Sequence, residues 1–371
     1  MGNMDVVGAA HLSLVDGATY TNPEATIFEA MLDGWRAQQL ARSLSFATID
    51  SGARVVRRFT ESASTFPWEW TSSGFDTWSA ELRKEKRAPS TLRGYQASIR
   101  AFLGYVCDPA YGWDGECIER FGTHAVQICN ESNMGAHVVD YEGRPERRSM
   151  TRAECQDLFD AADARADRIR LAGRKGWVPA FRDATMLKVT YAWGLRRREL
   201  VMLERHDFGI NPKASEFGDF GVCNVRYGKA ANGSGPRRRG VLTVMPWSTE
   251  VMAEWTTDIW PGVRQKDSAG LWPSERDERV SEDRVNSAFA RAARDAGLPA
   301  GLSPHSLRHS YVTHLIEDGF DVLFVQQQVG HRHASTTAIY TSVSADYRTR
   351  MLRSALDAAV VGPARQNGIG R

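Results

Sequence analysis

Residues 303–340 read SPHSLRHSYVTHLIEDGFDVLFVQQQVGHRHASTTAIY. Ser303 followed by Pro304 marks a helix start: a serine at the N-cap can accept from the first unpaired amides, and a proline at the first helical position has no amide to lose. His305 and Arg308 stand three apart and share one face of that helix, while Leu307, Tyr311 and Leu315 form its core face. Gly319 stops it, Asp321 caps the next helix, and Gly330 ends that one, leaving His331 just past a helix end. Tyr340 follows nine residues later. Three readings compete here. A helix–turn–helix core needs only the apolar face, with the histidines incidental. A metal site would use His305 and His309 at i, i+4, but Ser306 and Leu307 fill the gap where H-E-x-x-H requires a glutamate. Grouping His305, Arg308, His331 and Tyr340 with an upstream arginine suits phosphoryl transfer without metal. Guanidinium forks and imidazoles neutralise a pentavalent phosphate, and the tyrosine is the covalent nucleophile.

The third reading asks for an arginine at a helix junction and a mobile general acid. YAWGLRRREL, residues 191–200, ends a helix at Gly194 and puts Arg196 at the turn. Lys229 sits on a hairpin: Cys223, Val225 and Tyr227 alternate with Asn224 and Arg226, Val241–Val244 is a second β-rich run, and AANGSGP between them is a turn. Elsewhere the period is helical. The pair Thr151-x-x-Glu154 is a capping box that opens a domain after the polar stretch Glu142–Ser149, and Ser281 heads a helix carrying Val285, Ala288, Phe289 and Ala292. Before that boundary run three apolar stripes: Ile27, Phe28, Met31, Leu32 and Trp35; Phe46, Ile49, Val56 and Phe59; Leu92, Tyr95, Ile99, Phe102, Leu103 and Val106. They predict a bundle of about four helices whose last two are bridged by Arg83-Lys84-Glu85-Lys86-Arg87. Trp68, Trp70 and Trp78 read as core. The expected class is mainly α with a small antiparallel β-sheet, an N-terminal helical bundle preceding an α+β domain.

Composition constrains the class of function. The 371 residues suit two or three domains, and no apolar run is long enough to cross a membrane as a helix. Five cysteines, an odd number without C-x-x-C spacing, fit reduced thiols in a cytoplasmic protein. Net charge is +2 from 47 basic and 45 acidic residues, which taken alone argues against nucleic-acid binding. The balance is a cancellation, however. Basic residues outnumber acidic ones in 51–100 and 151–250, and acidic residues prevail in 1–50 and 101–150. Phosphate contacts are made by local patches, not totals.

The segments GLRRREL (194–200), YGK (227–229), HSLRH (305–309), VGH (329–331) and STTAIYTSV (335–343) follow one another in the order and spacing of the tyrosine recombinases, the phage-integrase type of site-specific DNA recombinase, and STLRGYQASIRAFLGYV (90–106) resembles that family's core-binding domain. The resemblance implies a division into a flexible arm (1–25), a SAM-like helical core-binding domain that grips DNA (26–142), a catalytic domain (143–344) and a tail helix for protomer contacts (345–371). It implies that two domains clamp duplex DNA and that Tyr340 forms a 3′-phosphotyrosyl link. Arg196, Arg308 and His331 would hold the phosphate, Lys229 would act as general acid, His305 would assist proton handling at the tyrosine or bind the phosphate, and Glu199 would support the site. It implies no cofactor and no metal. Its partners would be double-stranded recombination sites, a tetramer of the chain in synapsis and an accessory directionality protein, with a cytoplasmic, nucleoid-associated location. Arg197 and Arg198 depart from the Ile-Ser pair commoner in the family and are expected to contact backbone phosphates. With Arg83, Lys84, Lys86, Arg87 and the hairpin trio Arg237, Arg238 and Arg239 they are expected to line one basic channel. The competing functions are a helix–turn–helix regulator without chemistry and a type IB topoisomerase.

Overall fold

The computed structural model describes residues 6–10, 22–135, 148–228, 235–264, 268–275 and 277–330. They form two compact units, the first reaching Gly135 and the second built from Arg148 to Gly228 and from Pro236 onward.

The first unit holds α1 (Pro23–Ala41), α2 (Phe46–Ala63), α3 (Ser72–Lys84), α4 (Pro89–Val106) and the short α5 (Trp113–Phe121). Short polar side chains start three of them: Asn22 accepts from the Ala25 amide at 3.1 Å, Ser45 from Thr48 at 3.3 Å and Thr71 from Gly74 at 3.1 Å. Each satisfies an amide that has no partner within the first helical turn. α4 begins on Pro89 without a side-chain cap. Ile27, Met31, Leu32, Ile99, Phe102 and Leu103 close the core. Trp68 stacks between Phe66 and Phe121 with centroids 5.2 and 4.2 Å away, and Trp70 and Trp78 flank Phe59. All three indoles are therefore core. Phe46 departs from its predicted stripe and is 71% exposed; as the first residue of α2 it precedes the turn that packs.

Residues 6–10, expected in a mobile arm, are docked instead. Ala9 and Ala10 are buried, and the Tyr105 hydroxyl accepts from Trp113 Nε1 at 2.7 Å while donating to the Gly8 carbonyl. The approach requires glycine on both sides, since a Cβ on Gly8 would lie 2.4 Å from the Gly34 carbonyl oxygen.

The second unit runs α6 (Arg152–Leu171), α7 (Trp177–Ala192), α8 (Arg197–Val201), β1 (Phe208–Gly209), β2 (Val222–Gly228), β3 (Arg237–Leu242), α9 (Trp247–Ala253, continuing as a π-helical turn Glu254–Ile259), α10 (Glu282–Asp295), α11 (Pro304–Glu317) and α12 (Val322–Val329). The protein is thus mostly helical with one three-stranded antiparallel sheet in the order β1-β2-β3. The capping box at Thr151 forms as read: Thr151 Oγ1 accepts from the Glu154 amide at 3.1 Å and Glu154 returns the bond to the Thr151 amide at 2.8 Å. α7 is buried on nearly every side and packs against α6, α9, α10 and α11, as expected for a central helix with little polar surface.

β3 starts at Arg237, so the hairpin trio Arg237, Arg238 and Arg239 lies within the strand. Val225 pairs with Arg239 and Gly228 with Arg237, leaving Arg226 and Tyr227 opposite Arg238 alone. This is a bulge, which re-aims the side chains around it. Alternation puts Arg239 on the face of the buried Val241 and Arg238 on the opposite face; Arg237 has the parity of Arg239 but, as the first residue of the strand, is exposed like Arg238.

Candidate active site

The chain leaves α7 through a glycine turn. Gly194 has φ of +56°, its amide donates to the Tyr191 carbonyl at 3.2 Å, and the Leu195 amide closes back on Thr190 at 3.0 Å. This left-handed ending suits glycine and brings Arg196 to the start of α8. Arg196 occupies the N-cap position, but its side chain caps nothing. Instead Glu199 folds back, accepting from the Arg196 amide at 2.9 Å and from Arg196 Nη1 at 2.7 Å.

Glu199 is the centre of a basic cluster. Arg239, reaching from β3, donates to it bidentately through Nη1 at 2.9 Å and Nη2 at 2.8 Å. Arg308 of α11 places Nη1 3.7 Å from the same carboxylate. Burial by itself would raise the Glu199 carboxyl. The Arg239 fork and the charges of Arg239, Arg308 and Arg196 outweigh it and hold the group near about 2. Three guanidinium groups thus converge on one buried, ionised carboxylate.

Arg308 is 0% exposed. It donates to the Gly194 carbonyl and to the Val329 carbonyl at the end of α12. Arg239 adds a bond from Nε to the neighbouring Gln328 carbonyl at 2.8 Å. The Gln328 side chain in turn accepts from the Leu242 amide of β3 at 2.8 Å. Two arginines therefore hold the last two carbonyls of α12, which ends on Gly330 with φ of +63°, one residue before His331.

The structure brings together Arg196, Glu199, Arg308 and Arg239. His305 and His309, half-buried on one face of α11, lie edge-to-face with ring centroids 4.6 Å apart. Ser303 stands at the N-cap of α11, yet its hydroxyl does not cap: Ser306 Oγ accepts from the Ser303 amide at 3.3 Å. Asp321 caps α12 as read, accepting from Phe324 at 3.0 Å. Arg196 remains 29% exposed at its side chain, and Arg197 and Arg198 are exposed on α8. Arg197 donates to Asn286 at 2.8 Å. Lys229, His331 and Tyr340 lie outside the described residues, as do the tail at 345–371 and most of 1–25. Arg83 and Lys84 in the last turn of α3 and Lys86 and Arg87 just after it are exposed; Glu85 among them accepts from Arg87 at 3.1 Å and from Arg58 at 3.0 Å.

Arg239 is the correction. It is turned away from the surface that Arg237 and Arg238 occupy, with its side chain 12% exposed. The period-two pattern of β3 places Arg239 on the face of Val241 but places Arg237 there too, so alternation by itself does not single out Arg239. Gln328 and the Gly194 carbonyl carried no sequence signal, because their roles depend on which elements meet. Among the described residues no group of three or more His, Cys, Asp or Glu side chains is arranged to hold a metal ion, and no helix is long and apolar enough to cross a membrane.

Residues 148–346 match the phage integrase family model. The chain is 31% identical over 342 residues to the tyrosine recombinase XerC of Bifidobacterium longum strain DJO10A, covering 92% of this chain and 86% of that protein. It is 31% identical over 205 residues to the tyrosine recombinase XerD of Pseudomonas putida, an alignment spanning 54% of this chain and 59% of that relative's length. In fold it is similar to the XerH site-specific recombinase solved bound to its palindromic difH substrate, with a TM-score of 0.58 at 16% identity over 90% of this chain and 84% of that one.

Proposed function

The chain belongs to the phage integrase family, and on that premise we propose that it is a site-specific DNA recombinase that cleaves and rejoins strands through a 3′-phosphotyrosyl intermediate. The observation that carries the reading is the gathering of Arg196, Arg308 and Arg239 on the buried Glu199 carboxylate. A groove-reading regulator has no use for that arrangement. Preorganised cations, by contrast, are what a pentavalent phosphate requires. In this reading Tyr340 attacks the scissile phosphorus. The Tyr–O–P bond forms as the bond to the 5′-oxygen breaks, Lys229 gives the leaving oxygen its proton, and His305 assists in taking the proton from the tyrosine. Arg196, Arg308 and His331 hold the phosphate oxygens. Arg308 directs a donor from each terminal nitrogen to the carbonyls of Gly194 and Val329, which fixes the plane of its guanidinium group. A 5′-hydroxyl then reverses the step and restores the phosphodiester, so no separate energy source is required.

Double-stranded recombination sites are the substrate in this reading. The first unit, with exposed Arg83, Lys84 and Lys86, supplies phosphate contacts, and a tetramer joins two sites. An accessory directionality protein belongs to the same reading. A topoisomerase shares the chemistry and is separated from a recombinase by its product.

The test is covalent trapping on a pool of nicked duplexes with a randomised core, where loss of the short strand beside the nick blocks religation. The wild-type chain is expected to capture a subset as a protein–DNA adduct, and Tyr340→Phe to capture none. An adduct that persists in Tyr340→Phe, or none with wild type, overturns the reading. Strand exchange between two copies of the recovered duplex marks a recombinase, whereas relaxation of a supercoil without exchange marks a topoisomerase.

A further inference from the structure

We propose that Arg239 is a positioning residue of this site, fixing through Glu199 where Arg196 and Arg308 present their guanidinium groups. Through the Gln328 carbonyl it also fixes the helix end from which the chain enters His331. The inference rests on the recombinase reading and deepens it.

Three observations converge. First, Nε, Nη1 and Nη2 of Arg239 all donate to the protein itself, one to Gln328 and two to Glu199. Second, its stem lies beneath the turn that follows α12: a Cβ built on Gly330 would sit 3.0 Å from Arg239 Cδ. Any residue but glycine there would push on the arginine. Third, Arg239 stands on β3 directly opposite Val225, three residues before the end of the strand that leads to Lys229. One planar fork thus ties the sheet, α8 and the end of α12 together. Lysine cannot reproduce this, because a single ammonium cannot grip both carboxylate oxygens in fixed geometry while also holding the carbonyl. Arg237 and Arg238 point to solvent and are the side chains of this strand suited to touch DNA.

A positioning role and a phosphate-binding role leave different signatures. A misplacement of about 1 Å in catalytic groups slows the chemical step by as much as 10²-fold while leaving binding intact. Removing a cation that neutralises a phosphate weakens binding and reduces the salt dependence of log K by about 0.9.

The experiment uses the full chain and a nicked duplex recovered by wild-type trapping, with single-turnover cleavage measured at saturating DNA. Arg239→Met is expected to cleave roughly 10- to 100-fold more slowly, with wild-type affinity and salt slope, and Arg239→Lys to recover part of the loss. In a Glu199→Gln background the further change to Arg239→Met is expected to alter the rate less than about twofold, since non-additivity marks residues that act through one another. Should Arg239→Met alone fail to fold because it leaves the Glu199 charge buried, Arg239→Lys and the neutral Glu199→Gln/Arg239→Met pair carry the comparison. Wild-type cleavage rates in Arg239→Met and Arg239→Lys, a lowered salt slope, or losses that multiply fully with Glu199→Gln would overturn the proposal while leaving the recombinase reading intact. If the wild-type chain traps no duplex at all, the reading falls first and the inference with it.

Discussion

Gly194 and Tyr311 meet where α7 turns toward α8, and their contact shows how closely the site is packed. A Cβ on Gly194 would lie 2.5 Å from Tyr311 Cδ1, at a backbone φ of +56°. Both the left-handed conformation and the overlap oppose any side chain. Gly194→Ala is therefore expected to destabilise the protein by about 2–4 kcal/mol in urea titrations and to shift the carbonyl that Arg308 holds. Tyr311 offers a contrasting test. Its hydroxyl is buried without a hydrogen-bond partner among the described residues, so Tyr311→Phe removes an unsatisfied polar atom while keeping the ring. It should change stability by less than about 0.5 kcal/mol or raise it; a loss above about 1 kcal/mol would show that the hydroxyl is satisfied after all. The helix stop at Gly194 was legible in sequence. The ring that makes glycine obligatory lies more than a hundred residues away and was not.

α11 was read as a helix with one core face and one chemical face, and it is more deeply enclosed than that. His314 is buried with Nδ1 2.7 Å from the Tyr191 hydroxyl. Burial, reinforced by the Arg152 charge, lowers its pKa from 6.5 to about 4. The unfolded chain therefore takes up this proton first as pH falls. The associated stability is complete above pH 6.5 and is lost progressively toward about 4, to an extent of roughly 3 kcal/mol. Glu199 and Glu154 are both held near about 2, so their contributions fade only below the ordinary carboxylate range, near 4.5. Urea midpoints measured between pH 7 and 4.5 should decline, and His314→Gln should flatten that decline even if it lowers stability at pH 7. An unchanged slope would rule out His314 as its source. The position of Ser303 at the helix start was legible, but its buried hydroxyl does not cap, and only the return bond from its amide to Ser306 Oγ forms. On β3 strand alternation separates Arg239 from Arg238 but not from Arg237, which has the same parity and is exposed. The Arg239 partner Glu199 could not be read, because cross-element pairing is set by how α8 and the sheet pack.

Across the whole molecule the net charge of +2 conceals a division between cations already paired with a carboxylate and the rest. Arg83, Lys84 and Arg87 are all exposed, but Arg87 and Arg58 share Glu85, and Arg239 serves the buried Glu199. A cation already paired with a carboxylate releases fewer counterions on meeting DNA. Replacing Arg83 and Lys84 with alanine should weaken binding to any duplex and reduce the salt slope by about 0.9 for each phosphate no longer neutralised. Arg87→Ala should do less, because Glu85 already screens it; equal slopes for Arg83→Ala and Arg87→Ala would contradict this division. The sequence by itself determined the helix and hairpin succession, the caps at Thr151 and Asp321, the glycine stops, and the order of arginine, glutamate, histidine and tyrosine segments that marks the family. These are local properties, written in spacing and residue type. The tertiary structure alone decided that Glu199 collects three guanidinium groups, that Arg308 is buried on two helix-end carbonyls, and that Arg239 faces inward while its two neighbours face solvent. Apart from Arg196, three positions from Glu199, such pairings join residues 21 to 114 positions apart, and whether a charge meets water or a carboxylate depends on packing that no short window of sequence contains.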